Sequence, residues 1–170
     1  MTTTLVYDSI CLTHDTGPGH PERPDRIRSM MQALRREELL SRCELIKPWR
    51  VDDKLMKSVF QTHDRDYVGR LQDACEGGKE FIDVPDSAVC EESYMAALVS
   101  AASSLAGVES VVKGEARNSM CLMRPPGHHC EYDQSMGFCL LNNIAIAAEW
   151  LLKSRHAGRV AIIDFDVHHG

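Results

Sequence analysis

The sequence predicts an α/β protein with a mainly parallel sheet, and its last eleven residues are the strongest sign of that fold. An apolar run, Val160–Ile163, leads directly into Asp164, Asp166, His168 and His169. Apolar runs of this kind are typical of strands buried on both faces of a parallel sheet. The second half of the chain also has the order strand, loop, helix, strand, which predicts a βαβ unit with parallel strands.

Length and composition predict one ordinary globular domain. A chain of 170 residues can bury a single core. Its content of 44% hydrophobic and 26% charged residues is typical of globular proteins. The net charge of −6 argues against general affinity for nucleic acid or anionic membrane. No apolar stretch is expected to approach the ~20 residues that span a bilayer. We therefore expect no direct partner among nucleic acids or membranes.

Cysteine usage and the N-terminus favour a cytoplasmic protein. Seven cysteines without a Cys-x-x-Cys pair are typical of reduced thiols. The first residues, Met1 to Thr4, have neither the basic region nor the long apolar region of a secretory signal. The sequence leaves homo-oligomerisation open.

The first half of the chain predicts two short strands, at 5–7 and 43–46, separated by a loop and a helix. The Gly and Pro content of Thr13–Pro24 predicts a loop, and its length favours a working surface loop. A helix is predicted from Pro24, because proline is accepted in the first turn. Its predicted buried stripe consists of residues at helical spacing: Ile27, Met30, Met31 and Leu34.

Three further helices are predicted before the second half, over 52–60, 64–74 and about 88–113. His63 lies between the two short helices, and we interpret it as a hydrogen-bonded structural residue rather than a catalytic one. Gly114 is placed to end the long helix. The apolar stripe of that helix is Leu98, Ala101, Leu105, Val108 and Val112.

The second half predicts a strand at 120–123, a helix over about 142–154 and a strand over 160–166. The helix would turn one face to the core: Ile144, Ala147, Ala148, Leu151 and Leu152. Because the two strands of a βαβ unit run the same way, the residues that follow them meet at one edge of the sheet. That edge is where open parallel sheets bind ligands.

Histidine pairs follow both of these strands directly. His128 and His129 come after the first strand, and His168 and His169 come after the second. A single histidine pair also occurs by chance on polar loops. Two pairs at one sheet edge, one of them beside an Asp-x-Asp sequence, indicate a functional site.

The residue types at this edge predict a catalytic metal centre. Asp164, Asp166 and His168 would leave one face of the final strand, two residues apart. Asp and His without cysteine suit catalytic zinc, manganese or iron. A catalytic zinc usually takes three protein ligands, and Asp166 and His168 supply two. The expected chemistry is attack of a metal-activated water on a carbonyl, with His128 and His129 moving protons and Asp164 orienting one imidazole.

Three stretches resemble the histone deacetylase family: Arg124–His129, Gly137–Ala148 and Asp164–Gly170. A fourth stretch, Gly17–Arg26, resembles the class II and bacterial acetylpolyamine amidohydrolase branch. The motifs occur in family order along essentially the whole chain. The resemblance implies the three-layer αβα arginase/deacetylase fold. It also implies that residues 1–170 are the N-terminal portion of a single catalytic domain.

The resemblance assigns roles to the residues at the sheet edge. Asp166 and His168 match two of the three ligands of a catalytic Zn²⁺. His129 matches the general base and acid, His128 its electrostatic partner, and Asp164 the aspartate that supports His128. In the family pattern Asp164, Asp166 and the backbone of His168 also face a structural K⁺.

The resemblance further implies a substrate channel. Phe138 matches an aromatic wall of the acyl-lysine channel, and Gly137 lies beside it. Asp83 matches a loop aspartate that grips the substrate backbone. The expected substrate is an acetylated lysine peptide, an acetylated protein or an acetylated polyamine.

The implied activity is zinc-dependent removal of acetyl or other acyl groups. In the family the third zinc ligand, the aspartate behind the second histidine and the oxyanion tyrosine all lie downstream. The chain is therefore expected to be truncated, with the C-terminal half of the domain as its missing partner, and to be inactive alone. Two alternatives stay open: a ureohydrolase-like binuclear manganese enzyme, and a non-catalytic fragment or interaction module. In a truncated chain the predicted strand over 160–166 would lack its next neighbour and leave an open apolar edge.

Overall fold

A parallel sheet lies at the centre of the computed structural model, which describes residues 2–170. Within that range three strands form the sheet. The central strand, β1 (Thr3–Val6), pairs with β2 (Cys43–Ile46) on one side and β3 (Asn118–Cys121) on the other, and both pairings are parallel. The third residues of the strands are aligned across the sheet: Leu5, Leu45 and Met120. The predicted parallel α/β architecture is confirmed.

Helices connect and cover the strands. Within the described range they are α1 (Asp25–Arg36), α2 (Asp53–Thr62), α3 (Arg65–Glu76), α4 (Ser93–Val112) and α5 (Asn143–Lys153). Side-chain oxygens of Asp52, Asp64 and Asn142 accept backbone N–H groups at the starts of α2, α3 and α5. These caps satisfy donors that the first helical turn leaves free. Each helix predicted from the sequence is present, with boundaries shifted by a few residues.

Alternating side chains of β1 place a helical layer on each face of the sheet. Leu5 packs with Ile27 of α1 in one buried cluster. Thr4 points the other way, and its Oγ1 lies 3.0 Å from Ser110 Oγ of α4. Since neighbouring residues of a strand face opposite sides, the two contacts require helices on both faces. The result is the predicted αβα sandwich.

The core-facing stripes of the helices were predicted incompletely. Ile27 and Met31 of α1 are buried, but Met30 is exposed. One residue step turns an α-helix by about 100°, so Met30 lies off the face that Ile27 and Met31 share. In α4 the predicted Val112 is also exposed, because it lies in the last turn.

Helix α4 is the longest and most buried helix of the fold. A Cβ on Gly107 would lie 2.9 Å from both Cys121 Sγ and Ser119 Oγ, so glycine is what lets α4 approach β3. The 20-residue helix is long and apolar enough to cross a membrane, and 67% of its apolar window is buried inside the protein. The prediction that no apolar stretch approaches 20 residues was therefore wrong. Burial between sheet and helices explains its apolar character.

The strand predicted over 160–166 does not form in the described structure. Residues 160–170 are irregular, and Ile163, Phe165 and Val167 are 86%, 96% and 92% exposed. A strand needs a hydrogen-bonded neighbour, and none of the strands within residues 2–170 pairs with this segment. The predicted βαβ unit is thus incomplete: β3 and α5 are present, and its second strand is not.

Carboxylates hold residues 160–170, the terminal segment, in turns instead of a strand. Asp164 Oδ1 accepts the backbone N–H of Asp166 at 3.0 Å. Asp166 Oδ1 accepts the backbone N–H of His168 at 2.9 Å. Such bonds from an Asp side chain to the backbone two residues ahead define turns. The expectation that Asp164, Asp166 and His168 project from one face of a strand is accordingly wrong for this structure.

Candidate active site

A cleft of about 950 Å³ lies beside the loop that follows β3. Four parts of the chain line it, including the loop before α1 and the terminal segment. Its lining residues are Pro21, Glu22, Arg26, Asp86, Pro126, His128, His129, Cys130, Glu131, Met136, Gly137, Phe138, Asn142, Asp166, His168, His169 and Gly170. The two predicted histidine pairs therefore meet at one site, although the second strand of the βαβ unit is missing.

The tandem histidines are held in a defined geometry. The ring centroids of His128 and His129 lie 4.0 Å apart. His128 Nδ1 lies 2.8 Å from Asp164 Oδ2, the pairing expected from the sequence. The Asp166 backbone N–H, followed by His128, lowers the pKa of Asp164. A carboxylate that stays ionised in this position can orient the His128 ring by accepting from Nδ1.

His129 lies between its neighbour and the terminal segment. Its ring centroid is 6.1 Å from that of His168. Partial burial, and then the neighbouring His128 and His168, lower the pKa of His129 below its usual value. His129 therefore remains neutral to a lower pH than a free imidazole does. A neutral imidazole can accept a proton, which is what a general base requires.

Asp166 and His168, the predicted metal ligands, both line the cleft. Asp166 Oδ1 lies 2.9 Å from His168 Nδ1, and both side chains are about half exposed or more. Carboxylate and imidazole suit a catalytic zinc, so the donor types fit the metal. Within residues 2–170, however, no three His, Cys, Asp or Glu side chains are grouped to hold a metal ion. The chain offers two ligands where such a zinc usually has three.

Two glycines allow close contacts between the histidine loop, residues 124–129, and its neighbours. A Cβ on Gly127 would lie 2.5 Å from Leu141 O and 2.6 Å from Asn143 N. Gly137 has a φ of +55°, and a Cβ there would overlap the His129 ring. These positions exclude larger side chains for steric reasons.

The first two residues of the histidine loop, Arg124 and Pro125, are held by contacts with other parts of the chain. Pro125 O accepts from Ser100 Oγ at 3.0 Å and from Asn143 Nδ2 at 3.3 Å. The preceding Arg124 is fully buried and forms a two-pronged ion pair with Glu22, with both N···O distances at 2.7 Å. Sequence reasoning missed this pair. An arginine directly after an apolar strand was the available signal, because a buried guanidinium needs a carboxylate partner.

Phe138 and Gly137 line the cleft, and their substrate-binding role stays a prediction. Phe138 adopts an unusual φ of +71°. Its ring meets His20 edge-on, with centroids 4.7 Å apart. The loop before α1 and the loop after the histidines thus join to form one wall of the cleft.

Asp83 is not among the residues that line the cleft. Its carboxylate accepts the backbone N–H of Ser135 at 2.9 Å and lies 3.6 Å from Arg70. Asp86, three residues later, does line the cleft and was missed. The same loop contains both residues, so the sequence pattern alone did not distinguish them. The substrate-binding role of Asp83 stays a prediction.

His63 is a structural residue, as predicted. It is buried, and its Nδ1 lies 3.2 Å from Tyr132 O. Its Nε2 accepts the backbone N–H of Asn142 at 2.9 Å. Burial lowers the pKa of this imidazole. Both ring nitrogens are used within the fold, and the residue fixes the start of α5.

Comparison with known proteins identifies close relatives. The family model for the histone deacetylase domain matches residues 20–170. The chain is 37% identical over 186 residues to the histone deacetylase-like amidohydrolase of Pseudomonas aeruginosa, covering 99% of this chain and 48% of that protein. It is 35% identical over 173 residues to a probable deacetylase of Archaeoglobus fulgidus, covering 100% of this chain and 46% of that protein.

A solved structure agrees with these sequence relatives. The crystal structure of the HDA15 HD domain superposes with a TM-score of 0.90 at 29% identity, covering 99% of this chain and 48% of that one. The chain therefore spans about half the length of the relatives it matches. Its fold is the α/β arginase/deacetylase fold that the resemblance implied.

Proposed function

Since the chain belongs to the histone deacetylase family, we propose that the protein containing it is a zinc-dependent deacetylase of acetyl-lysine or a related acylated amine. The family supports a deacetylase or amidohydrolase activity in general. One observation carries the finer proposal: the tandem pair His128 and His129, with His128 bonded to Asp164 at 2.8 Å, lies in one cleft with Asp166 and His168. Acid–base groups beside metal-binding atoms are what amide hydrolysis needs.

The metal would be held by Asp166, His168 and a third ligand from outside residues 1–170. When bound, zinc supplies a Lewis acid that polarises the scissile carbonyl and acidifies water. Asp164, Asp166 and the His168 backbone would also face a structural K⁺, and oxygen donors suit such hard cations.

In the proposed reaction His129 moves the protons. Its neutral ring nitrogen takes a proton from the attacking water as the new C–O bond forms at the acyl carbon. The same nitrogen then gives that proton to the leaving amine as the C–N bond breaks, which releases acetate and a free amine. His128, oriented by Asp164, stabilises charge beside it.

The cleft wall is proposed to bind the acyl chain. Phe138 supplies an aromatic surface, and Gly137 lets the His129 ring lie directly against this wall. The carboxylates Asp86 and Glu131 also line the cleft. A cationic substrate, such as an acetylated basic peptide or an acetylated polyamine, complements them.

The test is hydrolysis of an acetyl-lysine reporter by the complete protein loaded with zinc. We expect His129→Ala to reduce kcat by roughly 10²–10⁴-fold, because that is what a general acid–base group contributes. The matched control is His156→Ala, an exposed histidine outside the cleft lining. An unchanged rate in His129→Ala would remove this residue from the mechanism. Activity that requires manganese and is not supported by zinc would favour the ureohydrolase alternative.

A further inference from the structure

We propose that the buried ion pair between Arg124 and Glu22 positions the tandem histidines for the reaction. The inference rests on the proposed deacetylase function and goes beyond it, since neither residue carries a chemical step. Arg124 lies four residues before His128, and Glu22 belongs to the loop before α1. The pair joins parts of the chain that are 102 residues apart in sequence.

Arg124 satisfies its whole guanidinium group inside the protein. Its Nε and Nη2 donate to the two carboxylate oxygens of Glu22, each at 2.7 Å. Its Nη1 donates to Cys11 O at 2.9 Å and to His14 O at 2.8 Å, and its Nη2 also reaches Glu22 O at 3.3 Å. Arginine has five N–H donors in a rigid fork, and these five bonds use that capacity. The geometry fixes the direction of the group as well as its location.

The ion pair connects the Arg124 side chain to the cleft. Glu22 is 3% exposed and lines the cleft, and it also accepts from Arg26 Nη1 at 3.2 Å. On the other side, Pro125 O is held by Ser100 and Asn143. The backbone that leads to His128 is therefore fixed at two successive residues before it turns into the cleft.

Stability alone does not explain such a pair. Burying two charges costs several kcal/mol of desolvation, and a well-packed apolar pair of similar size is often at least as stable. A two-pronged Arg–carboxylate pair adds geometric specificity that apolar packing lacks. Here the pair fixes the geometry of Arg124, the first residue of the histidine loop. Displacement of catalytic groups by about 1 Å can cost about 10²-fold in rate.

The experiment replaces both charges together. In the complete zinc-loaded protein, Glu22→Leu combined with Arg124→Met removes the ion pair without leaving a lone buried charge. We expect the thermal midpoint to fall, because Cys11 O and His14 O lose their donor. In the folded variant we expect kcat to fall by about 10²-fold with KM changed by less than about threefold. The matched control is Asp25→Leu with Arg28→Met, which removes an exposed pair of α1 and should leave kcat unchanged.

A second variant covers failure of the first to fold. Arg124→Lys keeps the charge and loses the fork, and we expect kcat to fall by roughly tenfold at unchanged KM. Wild-type kcat in a folded double variant or in Arg124→Lys would overturn the proposal. If the wild-type protein itself hydrolyses no acetyl-lysine reporter, the proposed function fails instead. A crystal structure of the double variant then decides the positioning claim: displaced His128 and His129 rings support it, and unmoved rings overturn it.

Discussion

The two halves of the candidate site differ in how the chain supports them. The histidine loop, residues 124–129, starts from a buried ion pair and packs against α4 and α5. The terminal segment, residues 160–170, carries Asp166 and His168 on exposed backbone, and no strand within residues 2–170 pairs with it. Contacts within the described residues thus fix the loop that carries His128 and His129. The same contacts do not hold Asp166 and His168 in a strand.

The largest expected effect is on stability, at the ion pair from which the histidine loop starts. Arg124→Met leaves Glu22 buried without its main partner, so we expect the free energy of unfolding to fall by about 3–5 kcal/mol. Arg28→Met removes an exposed partner of Asp25 and should cost within about 1 kcal/mol. Urea unfolding of both variants measures the difference. Equal losses would show that the anchor of the histidine loop is no stronger than a surface contact.

A smaller change in the free energy of unfolding is expected from pH, through His14, a buried neighbour of the Arg124–Glu22 pair. Burial, and then Arg124, lower the pKa of His14 to about 4. The unfolded chain binds this proton below about pH 6.5, earlier than the folded protein does. Stability from His14 is therefore complete above that pH and is lost as the pH falls toward 4.

The measurement is urea unfolding at pH 7 and pH 5. We expect His14 to account for a loss of about 2 kcal/mol between these values. In His14→Gln that part of the pH dependence should disappear. If the variant and the wild-type protein lose stability equally between pH 7 and pH 5, His14 is not buried in its neutral form.

The smallest effect is expected in the terminal segment. Phe165 is 96% exposed, so Phe165→Ala in the 170-residue chain should change the free energy of unfolding by less than about 0.5 kcal/mol. In the complete protein the same change should cost about 3–5 kcal/mol, if the segment becomes a buried strand there. Equal values in the two proteins would contradict the view that neighbouring strands complete this half of the site.

Local patterns made much of the fold predictable. Helix α5 and the strand Cys43–Ile46 were predicted from residues close in sequence. The predicted core-facing stripe of α5 was partly wrong, because Ile144 and Leu152 are exposed and Ile146 is buried. The contact of His128 with Asp164 was expected from two parallel strands meeting at one sheet edge, and it forms although the second strand does not. The family resemblance assigned the roles of these residues, and the comparisons established the family.

What could not be predicted depends on partners far away in the chain. The apolar run 160–166 has a strand-like composition, but a strand forms only when another strand binds its backbone. The pairing of Arg124 with Glu22 joins residues 102 positions apart, and no local pattern specifies it. Asp83 and Asp86 share one irregular loop, where side-chain direction follows from backbone angles, such as the φ of +55° at Asp83, that composition does not reveal.

The most direct test of the central claim is the zinc content of purified residues 1–170 after dialysis against zinc-free buffer, compared with the complete protein. The account predicts that the complete protein retains one zinc per chain. It predicts that residues 1–170 retain none and hydrolyse no acetyl-lysine reporter, because Asp166 and His168 are only two ligands. Stoichiometric zinc together with activity in residues 1–170 would contradict it.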